Sequence, residues 1–145
     1  MIAAAAEEGW IATEPPVDVA GRTRRLLAAI RADGPDSLLL LLDEGRIVGC
    51  AGLHSTEVDG VAALGMAVLP DSRGRGGGRA LLNALVEHAA EAGVERLELE
   101  VFRDNERAIA LYRSAGFDPE KDGREYARRD GSRRSSLLMS MRLSG

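Results

Sequence analysis

A glycine loop is the part of this chain most suited to chemistry. The stretch VLPDSRGRGGGRALLNAL, residues 68–85, places four glycines between two arginines and then changes to apolar residues at helical spacing. A loop of this kind between a strand and a helix lets main-chain N–H groups converge on one anion, and the helix dipole adds positive charge. Because each glycine costs about 0.5–1 kcal/mol in backbone entropy, we expect a bound phosphate or pyrophosphate rather than an idle turn.

Two common phosphate-binding motifs do not fit this loop. A nucleoside-triphosphate loop requires G-x-x-x-x-G-K-[ST], and the stretch has neither the lysine nor the hydroxyl. The dinucleotide fingerprint G-x-G-x-x-G also fails, because its last position is Arg79 when counted from Gly74 and Leu81 when counted from Gly76. Kinase, ATPase and NAD-dependent oxidoreductase chemistry are therefore disfavoured.

Composition limits the class of protein. The chain has 145 residues, of which 45% are apolar, so we expect one globular domain. Its single cysteine, Cys50, excludes an internal disulfide, and no zinc-ligand cluster or other metal site is predicted. The net charge of -4 argues against nucleic-acid binding. Glu7 and Glu8 interrupt the apolar start and no segment reaches the length of a membrane span, so we expect a soluble, cytoplasmic protein.

The elements that position the loop follow from turns and periodicity. A short helix is predicted over residues 19–30, followed by a β-hairpin around Asp43-Glu44-Gly45 and a third strand that ends at Pro70. The long helix after the glycine loop ends near Gly93, and RLELEVF forms the next strand, in a right-handed parallel crossover. A second helix, residues 105–115, closes at Gly116, and a hairpin turning near Asp130-Gly131 ends the chain. The last strand points Leu137, Met139, Met141 and Leu143 inward.

Two motifs resemble those of one family. The segment from Val68 to Gly78 resembles the V-x-P-x-x-R/Q-x-x-G-x-G/A motif of the GCN5-related N-acetyltransferase (GNAT) superfamily, and NERAIALYRSAGF, residues 105–117, resembles its second signature. The likeness runs from about Ser37 to the C-terminus. It implies that residues 1–145 form a single N-acetyltransferase domain of the α/β class. The implied sheet is mixed, mostly antiparallel and flanked by helices, with the family's first strand absent.

The resemblance also implies a donor site for acetyl-CoA. The loop from Arg73 to Gly78 would hold the pyrophosphate, the backbone of residues 66–68 would pair with the pantetheine arm, and Asn105 would contact that arm. Tyr112 would lie beside the sulfur. The cofactor-binding residues implied are Met66, Ala67, Val68, Arg73, Gly74, Arg75, Gly76, Gly77, Gly78, Arg79, Asn105 and Tyr112.

Acyl transfer to an amine needs a proton donor for the departing thiolate and a proton acceptor for the amine. Tyr112 is the implied acid, since a phenol of pKa about 10 facing a thiolate of pKa about 8.5 transfers a proton uphill by only about 2 kcal/mol. In RLELEVF both glutamates, Glu98 and Glu100, share one strand face. Glu100 precedes Tyr112 by twelve residues, a spacing similar to that in the bacterial ribosomal-protein N-terminal acetyltransferases, and is the candidate base. Ordered water is the alternative route for the proton.

The acceptor is left open by the sequence. By resemblance it would enter near GWIATEPPVD and EYARRDGSRR. There Trp10 and Pro15-Pro16 could form an apolar wall, and four arginines could attract an acidic acceptor or simply be solvated.

Only MIAAAAEEGW precedes the region where the family has a strand and helix, so the first strand is lost, the start is truncated, or a second subunit supplies that edge in a homodimer. The leading function is acetyl transfer from acetyl-CoA to a primary amine by direct attack; the alternative is a non-catalytic acyl-CoA-binding regulatory module.

Overall fold

A mixed sheet with two helices makes up the part of the chain that the structure describes, residues 36–143 of a computed structural model. The strands and helices, in chain order, are β1 (Ser37–Asp43), β2 (Arg46–Ser55), β3 (Val61–Val68), α1 (Gly77–Glu91), β4 (Arg96–Phe102), α2 (Glu106–Ala115), β5 (Asp118–Ala127) and β6 (Arg133–Arg142). The sheet order is β1-β2-β3-β4-β6-β5, and only the β3/β4 pair is parallel. The predicted mostly antiparallel α/β sheet is confirmed. The helix predicted over residues 19–30 and the missing first strand lie outside the described residues.

Tight turns end the strands where the sequence predicts them. Glu44 and Gly45 both have positive φ in the β1–β2 turn, at 48° and 78°. Gly60 and Gly131 have φ of 77° and 86° at the turns before β3 and before β6. Glycine adopts this left-handed conformation without the steric cost of a Cβ atom. The predicted hairpins at residues 43–45 and 130–131 are confirmed.

The two helices begin and end at residues with clear local causes. Asn105 caps α2, because its side-chain oxygen accepts a hydrogen bond from the Ala108 N–H at 3.3 Å. Gly116 closes α2 in the left-handed conformation, with φ of 109°. The inner face of α1 buries four residues at helical spacing, Leu81, Leu82, Leu85 and Ala89. This apolar face lies over the sheet next to the glycine loop.

Strand alternation divides the sheet into two chemically different faces. Leu97, Leu99 and Val101 of β4 are buried in the core beneath the helices. The inward residues predicted for the last strand also belong to or pack against this core, namely Leu137, Met139, Met141 and Leu143. Glu98, Glu100 and Phe102 therefore face the other side of the sheet. Among residues 36–143, β1 and β5 form the sheet edges, and no helix there is long and apolar enough to cross a membrane.

We expect Leu82→Ala to lower the free energy of unfolding by about 2–5 kcal/mol, because Leu82 is fully buried and its removal leaves a cavity beneath α1. The neighbouring Asn83→Ala, at an exposed position of the same helix, should change it by less than about 0.5 kcal/mol. Urea denaturation of both variants measures the difference. Equal effects would contradict the placement of this helix face.

Candidate active site

A gap opens between β3 and β4. The two strands pair in parallel only over Val61–Arg96, Ala62–Leu97 and Ala63–Glu98, although β3 continues to Val68 and β4 to Phe102. On its other side β3 stays paired with β2 as far as Val68. In the second half of β3, which contains Met66, Ala67 and Val68, the main-chain groups facing β4 therefore have no ladder partner from that strand. Such an open edge suits an extended ligand that carries amide groups.

The glycine loop lies at the end of this gap. A short 3₁₀ turn, Pro70–Ser72, leads from β3 into it, and Gly76 is the N-cap of α1 in the left-handed conformation without a side-chain cap. Within residues 36–143, no hydrogen-bond acceptor reaches the main-chain N–H groups of residues 74–79. Consecutive N–H groups at a helix N-terminus bind phosphate groups in many proteins.

The glycines of the loop are small for two different reasons. Gly74 and Gly76 have φ of 77° and 82°, and a Cβ atom on either would meet nothing within 4 Å. A Cβ atom on Gly77 would lie 2.5 Å from Leu41 Cδ2, and one on Gly78 would lie 3.4 Å from Leu111 Cδ2. Backbone conformation accounts for Gly74 and Gly76, and internal packing accounts for Gly77, without a ligand, whereas a Cβ atom on Gly78 would make only ordinary van der Waals contact. The entropic argument made from the sequence is therefore weakened for three of the four glycines.

The arginines of the loop hold it to neighbouring elements. Arg73 donates from Nε to the Val68 carbonyl at 3.0 Å, and Arg79 donates to the Ser114 hydroxyl at 2.8 Å, which joins α1 to α2. Arg75 lies 3.6 Å from the Asp43 carboxylate, with both side chains exposed. An exposed pair of this kind contributes about 0–1 kcal/mol, so Arg75 can exchange Asp43 for a phosphate at little cost.

Asn105 and Tyr112 both belong to α2. The Asn105 oxygen is occupied by its cap, whereas its amide nitrogen has no hydrogen bond among residues 36–143. Tyr112 is 7% exposed and packs edge-on against Phe117, with ring centroids 5.9 Å apart. Burial raises the pKa of Tyr112 to about 12. In this form the phenol is a weaker acid than the sequence argument assumes, and transfer to a thiolate of pKa about 8.5 is uphill by about 5 kcal/mol.

Glu100 lies on the opposite face of the sheet from α2, and three donors surround its carboxylate. Oε1 accepts from the Ser136 hydroxyl at 2.5 Å and from the Arg124 N–H at 2.9 Å, and Oε2 accepts from the Tyr126 hydroxyl at 3.0 Å. Partial burial raises the pKa of Glu100, but the hydrogen bonds from Ser136, Arg124 and Tyr126 outweigh it, so the pKa is lowered overall. Glu100 is therefore held as an anion, with acceptor capacity left on Oε2.

The partners of Glu100 are residues that the sequence argument missed. A β-bulge between Asp122 and Glu125 turns the Arg124 N–H toward the carboxylate. Gly123 makes this approach feasible, because a Cβ atom there would collide with Ser136 Oγ and lie 2.9 Å from Glu100 Oε1. The only signal in the sequence is that Ser136 lies on the face of β6 opposite to the inward residues Leu137 and Met139.

The arginines of the last hairpin have partners within the protein. Arg134 lies over the Phe102 ring at 4.0 Å and bonds to Asp104 at 2.7 Å. Arg128 lies over the same ring at 5.6 Å, and Arg133 bonds to Glu125 at 3.0 Å. Trp10 and Pro15-Pro16, predicted to form an apolar wall, lie outside the described residues.

Comparison with known families decides the class of protein. The model of the acetyltransferase (GNAT) family matches residues 4–117. The chain belongs to the GNAT acetyltransferase family. The predicted family and the prediction of an acyltransferase are thus confirmed.

Two curated relatives show different overlaps. The [ribosomal protein bS18]-alanine N-acetyltransferase of Escherichia coli strain K12 is 37% identical over 104 residues, which cover 72% of this chain and 70% of that protein. The mycothiol acetyltransferase of Propionibacterium freudenreichii is 43% identical over 89 residues, 57% of this chain. The chain spans only 28% of that second protein.

Among solved structures, a GNAT superfamily phosphinothricin acetyltransferase from Sinorhizobium meliloti, in complex with acetyl-CoA, has the same fold. Its TM-score is 0.80 at 22% identity, over 92% of this chain and 74% of that one. This likeness supports the mixed sheet and its order.

We expect the raised pKa of Tyr112 to make stability fall at high pH. A phenol with pKa near 10 when unfolded and about 12 when folded stabilises the protein below pH 10, and that contribution is lost as the pH rises through 12. The free energy of unfolding should fall by about 1.4 kcal/mol per pH unit in this window. In urea denaturation, the decline in Tyr112→Phe should be smaller by this amount, although Tyr126, whose pKa is also raised by burial and by Glu100, still contributes to it. An unchanged pH dependence would show that Tyr112 is not buried as a phenol.

Proposed function

We propose that this GNAT protein transfers an acetyl group from acetyl-CoA to the α-amine of a peptide N-terminus by direct attack of the amine. The observation that carries the proposal is the gap between β3 and β4, which ends at the N–H groups of residues 74–79, for which residues 36–143 provide no acceptor. Coenzyme A has a diphosphate, which suits the N–H groups at the end of the gap, and an amide-bearing pantetheine arm, which suits the open edge of β3 along the gap. Acetyl-CoA is the acyl donor, in keeping with the complex of the Sinorhizobium meliloti neighbour.

Three groups of residues hold the donor in this proposal. The N–H groups from Gly74 to Arg79 bind the pyrophosphate, and Arg73 and Arg75 add positive charge beside it. The open edge at Met66, Ala67 and Val68 pairs with the pantetheine amides. The Asn105 amide nitrogen, which its cap leaves unused, donates to the same arm.

Tyr112 supplies the proton for the departing thiolate. The amine nitrogen attacks the thioester carbonyl, the C–S bond breaks, and the phenol proton passes to sulfur. The second amine proton, which is lost as the amide forms, returns through water to the Tyr112 phenolate. Its raised pKa keeps the phenol protonated throughout the neutral range. The uphill transfer of about 5 kcal/mol lies within the barrier of a reaction that proceeds at about 1–1,000 per second.

Glu100 binds the amine in its cationic form and receives its proton, directly or through ordered water. Its lowered pKa favours the anion, which is the form needed to attract an ammonium group. Oε2 has one hydrogen-bond donor, Tyr126, and can accept another. The same acidity makes Glu100 a moderate base, so water has a larger share in carrying the proton than it would beside a carboxylate of ordinary pKa.

A peptide N-terminus beginning with alanine is the proposed acceptor. The support is the 37% identity to the Escherichia coli enzyme that is named for the alanine of ribosomal protein bS18. The thiol-release assay below, repeated with small amines and with a longer acyl-CoA, would show whether either is preferred. A single domain over residues 1–145, a homodimer and a cytoplasmic location stay predictions.

In a thiol-release assay with acetyl-CoA and an alanine-initiated peptide, we expect Tyr112→Phe to lower kcat by about 10²–10⁴, the usual contribution of a positioned acid. Glu100→Gln should lower kcat/KM by about tenfold or more, since it removes the charge that attracts the ammonium group. Asn83→Ala is the surface control. Coenzyme A binding without turnover on any amine, and no effect of Tyr112→Phe, would favour a non-catalytic acyl-CoA-binding module instead.

A matched pair of variants tests the anion site at the start of α1. Gly76→Asp and Gly76→Asn place side chains of equal size at a residue with φ of 82°, and both residue types tolerate this conformation. We expect Gly76→Asp to bind coenzyme A at least about tenfold more weakly than Gly76→Asn, because a carboxylate repels the pyrophosphate at close range. Titration calorimetry measures both affinities; equal affinities would place the diphosphate elsewhere.

A further inference from the structure

Ser136 is a buried hydroxyl with two acceptors and one proton. It is 1% exposed, and its Oγ lies 2.5 Å from Glu100 Oε1 and 2.8 Å from the Arg124 carbonyl oxygen. A serine hydroxyl donates only one hydrogen bond at a time. While Glu100 is ionised, one of these two short oxygen–oxygen contacts therefore has no proton in it.

Adding one proton to Glu100 resolves this conflict. With a proton on Oε1, the carboxyl group donates to Ser136 Oγ, and the Ser136 hydroxyl turns to donate to the Arg124 carbonyl. Both contacts are then hydrogen bonds, and no heavy atom has to move. The same packing therefore accommodates both protonation states of Glu100.

We propose that Ser136 is a positioning residue for acetyl transfer, whose hydroxyl turns from Glu100 to the Arg124 carbonyl when Glu100 takes up the proton of the acceptor amine. The N–H bond of the amine breaks and an O–H bond forms on Glu100, while Ser136 keeps its own proton throughout. Water removes the proton from Glu100 after the product leaves. This role rests on the proposed function, since it concerns the same carboxylate.

The other groups around Glu100 are compatible with this turn of the Ser136 hydroxyl. From β5, the Arg124 N–H and the Tyr126 hydroxyl donate to the carboxylate, and the Arg124 charge acts on it. From β6, Arg134 lies nearby over Phe102 but is paired with Asp104. On β4 itself, Glu98 is 3.6 Å from Arg96, which offsets its charge. The hydroxyls of Ser136 and Tyr126 can each donate to the carboxylate or accept from it. Within residues 36–143, only Ser136 of these two has a second acceptor within reach, the Arg124 carbonyl, to which its hydroxyl can turn.

The wild-type protein provides a direct test by ¹³C NMR. The side-chain carboxyl carbon of Glu100 reports its titration, and the carbonyl carbon of Arg124 reports the hydroxyl that turns toward it. We expect both signals to titrate with the same midpoint. A Glu100 titration that leaves the Arg124 carbonyl signal unchanged would overturn the proposal.

Ser136→Ala removes the hydroxyl, and Ser135→Ala, at an exposed position of the same strand, is the matched control. In Ser136→Ala the Arg124 carbonyl should no longer titrate, and the Glu100 midpoint should move to higher pH. Below the wild-type midpoint of Glu100, kcat/KM for the alanine-initiated peptide should fall by about tenfold to a hundredfold, as expected for one lost hydrogen bond to a charged group. Ser136→Thr, which keeps the hydroxyl, should restore the wild-type midpoint.

The outcomes separate this proposal from the proposed function. If Ser136→Ala lowers kcat/KM by the same factor at every pH and does not shift the acid limb of the pH profile, Ser136 has only a packing role and the inference is overturned. If the wild type acetylates no amine, the proposed function fails, whatever the NMR titrations give. An active wild type whose Arg124 carbonyl does not titrate contradicts the role of Ser136 alone. If Ser136→Ala does not fold, the wild-type titrations still decide.

Discussion

The early end of parallel pairing between β3 and β4 is the constraint on which the rest of the molecule depends. After three pairs, the last at Ala63 and Glu98, each strand follows a different partner, β2 for β3 and β6 for β4. Each strand thereby keeps one full ladder of hydrogen bonds, and only the bonds between β3 and β4 beyond the third pair are lost. In the proposed function, the amides of the donor take the place of the missing ladder partner along this edge.

The two faces of the sheet divide the work of the site. On the helix side lie the buried Tyr112 and the start of α1, which would border the donor in the proposed function, and burial keeps the phenol protonated. On the other side, Glu100 is held as an anion by donors from two strands. Desolvation thus keeps the Tyr112 phenol protonated, whereas hydrogen bonding keeps the Glu100 carboxylate ionised.

The sequence predicted what depends on local rules. Turn glycines, strand alternation and the face of α1 are set by neighbours within a few residues, and the two motifs are continuous segments, so the elements and the family followed from them. The surroundings of Glu100 did not, because Ser136 reaches it only through the β4–β6 register and Arg124 only through a bulge in β5. Likewise, the small size of Gly77 reflects Leu41, which comes from a distant part of the chain.

The β-bulge at Gly123 links the shape of the last hairpin to the proton affinity of Glu100. The hairpin that carries it also borders the face where an acceptor would meet Glu100, and one of its main-chain N–H groups is bonded to that carboxylate. A change that reshapes the hairpin for a different acceptor therefore alters the proton affinity of the carboxylate in the same step. During divergence of this chain, substrate range and working pH would be inherited as one trait.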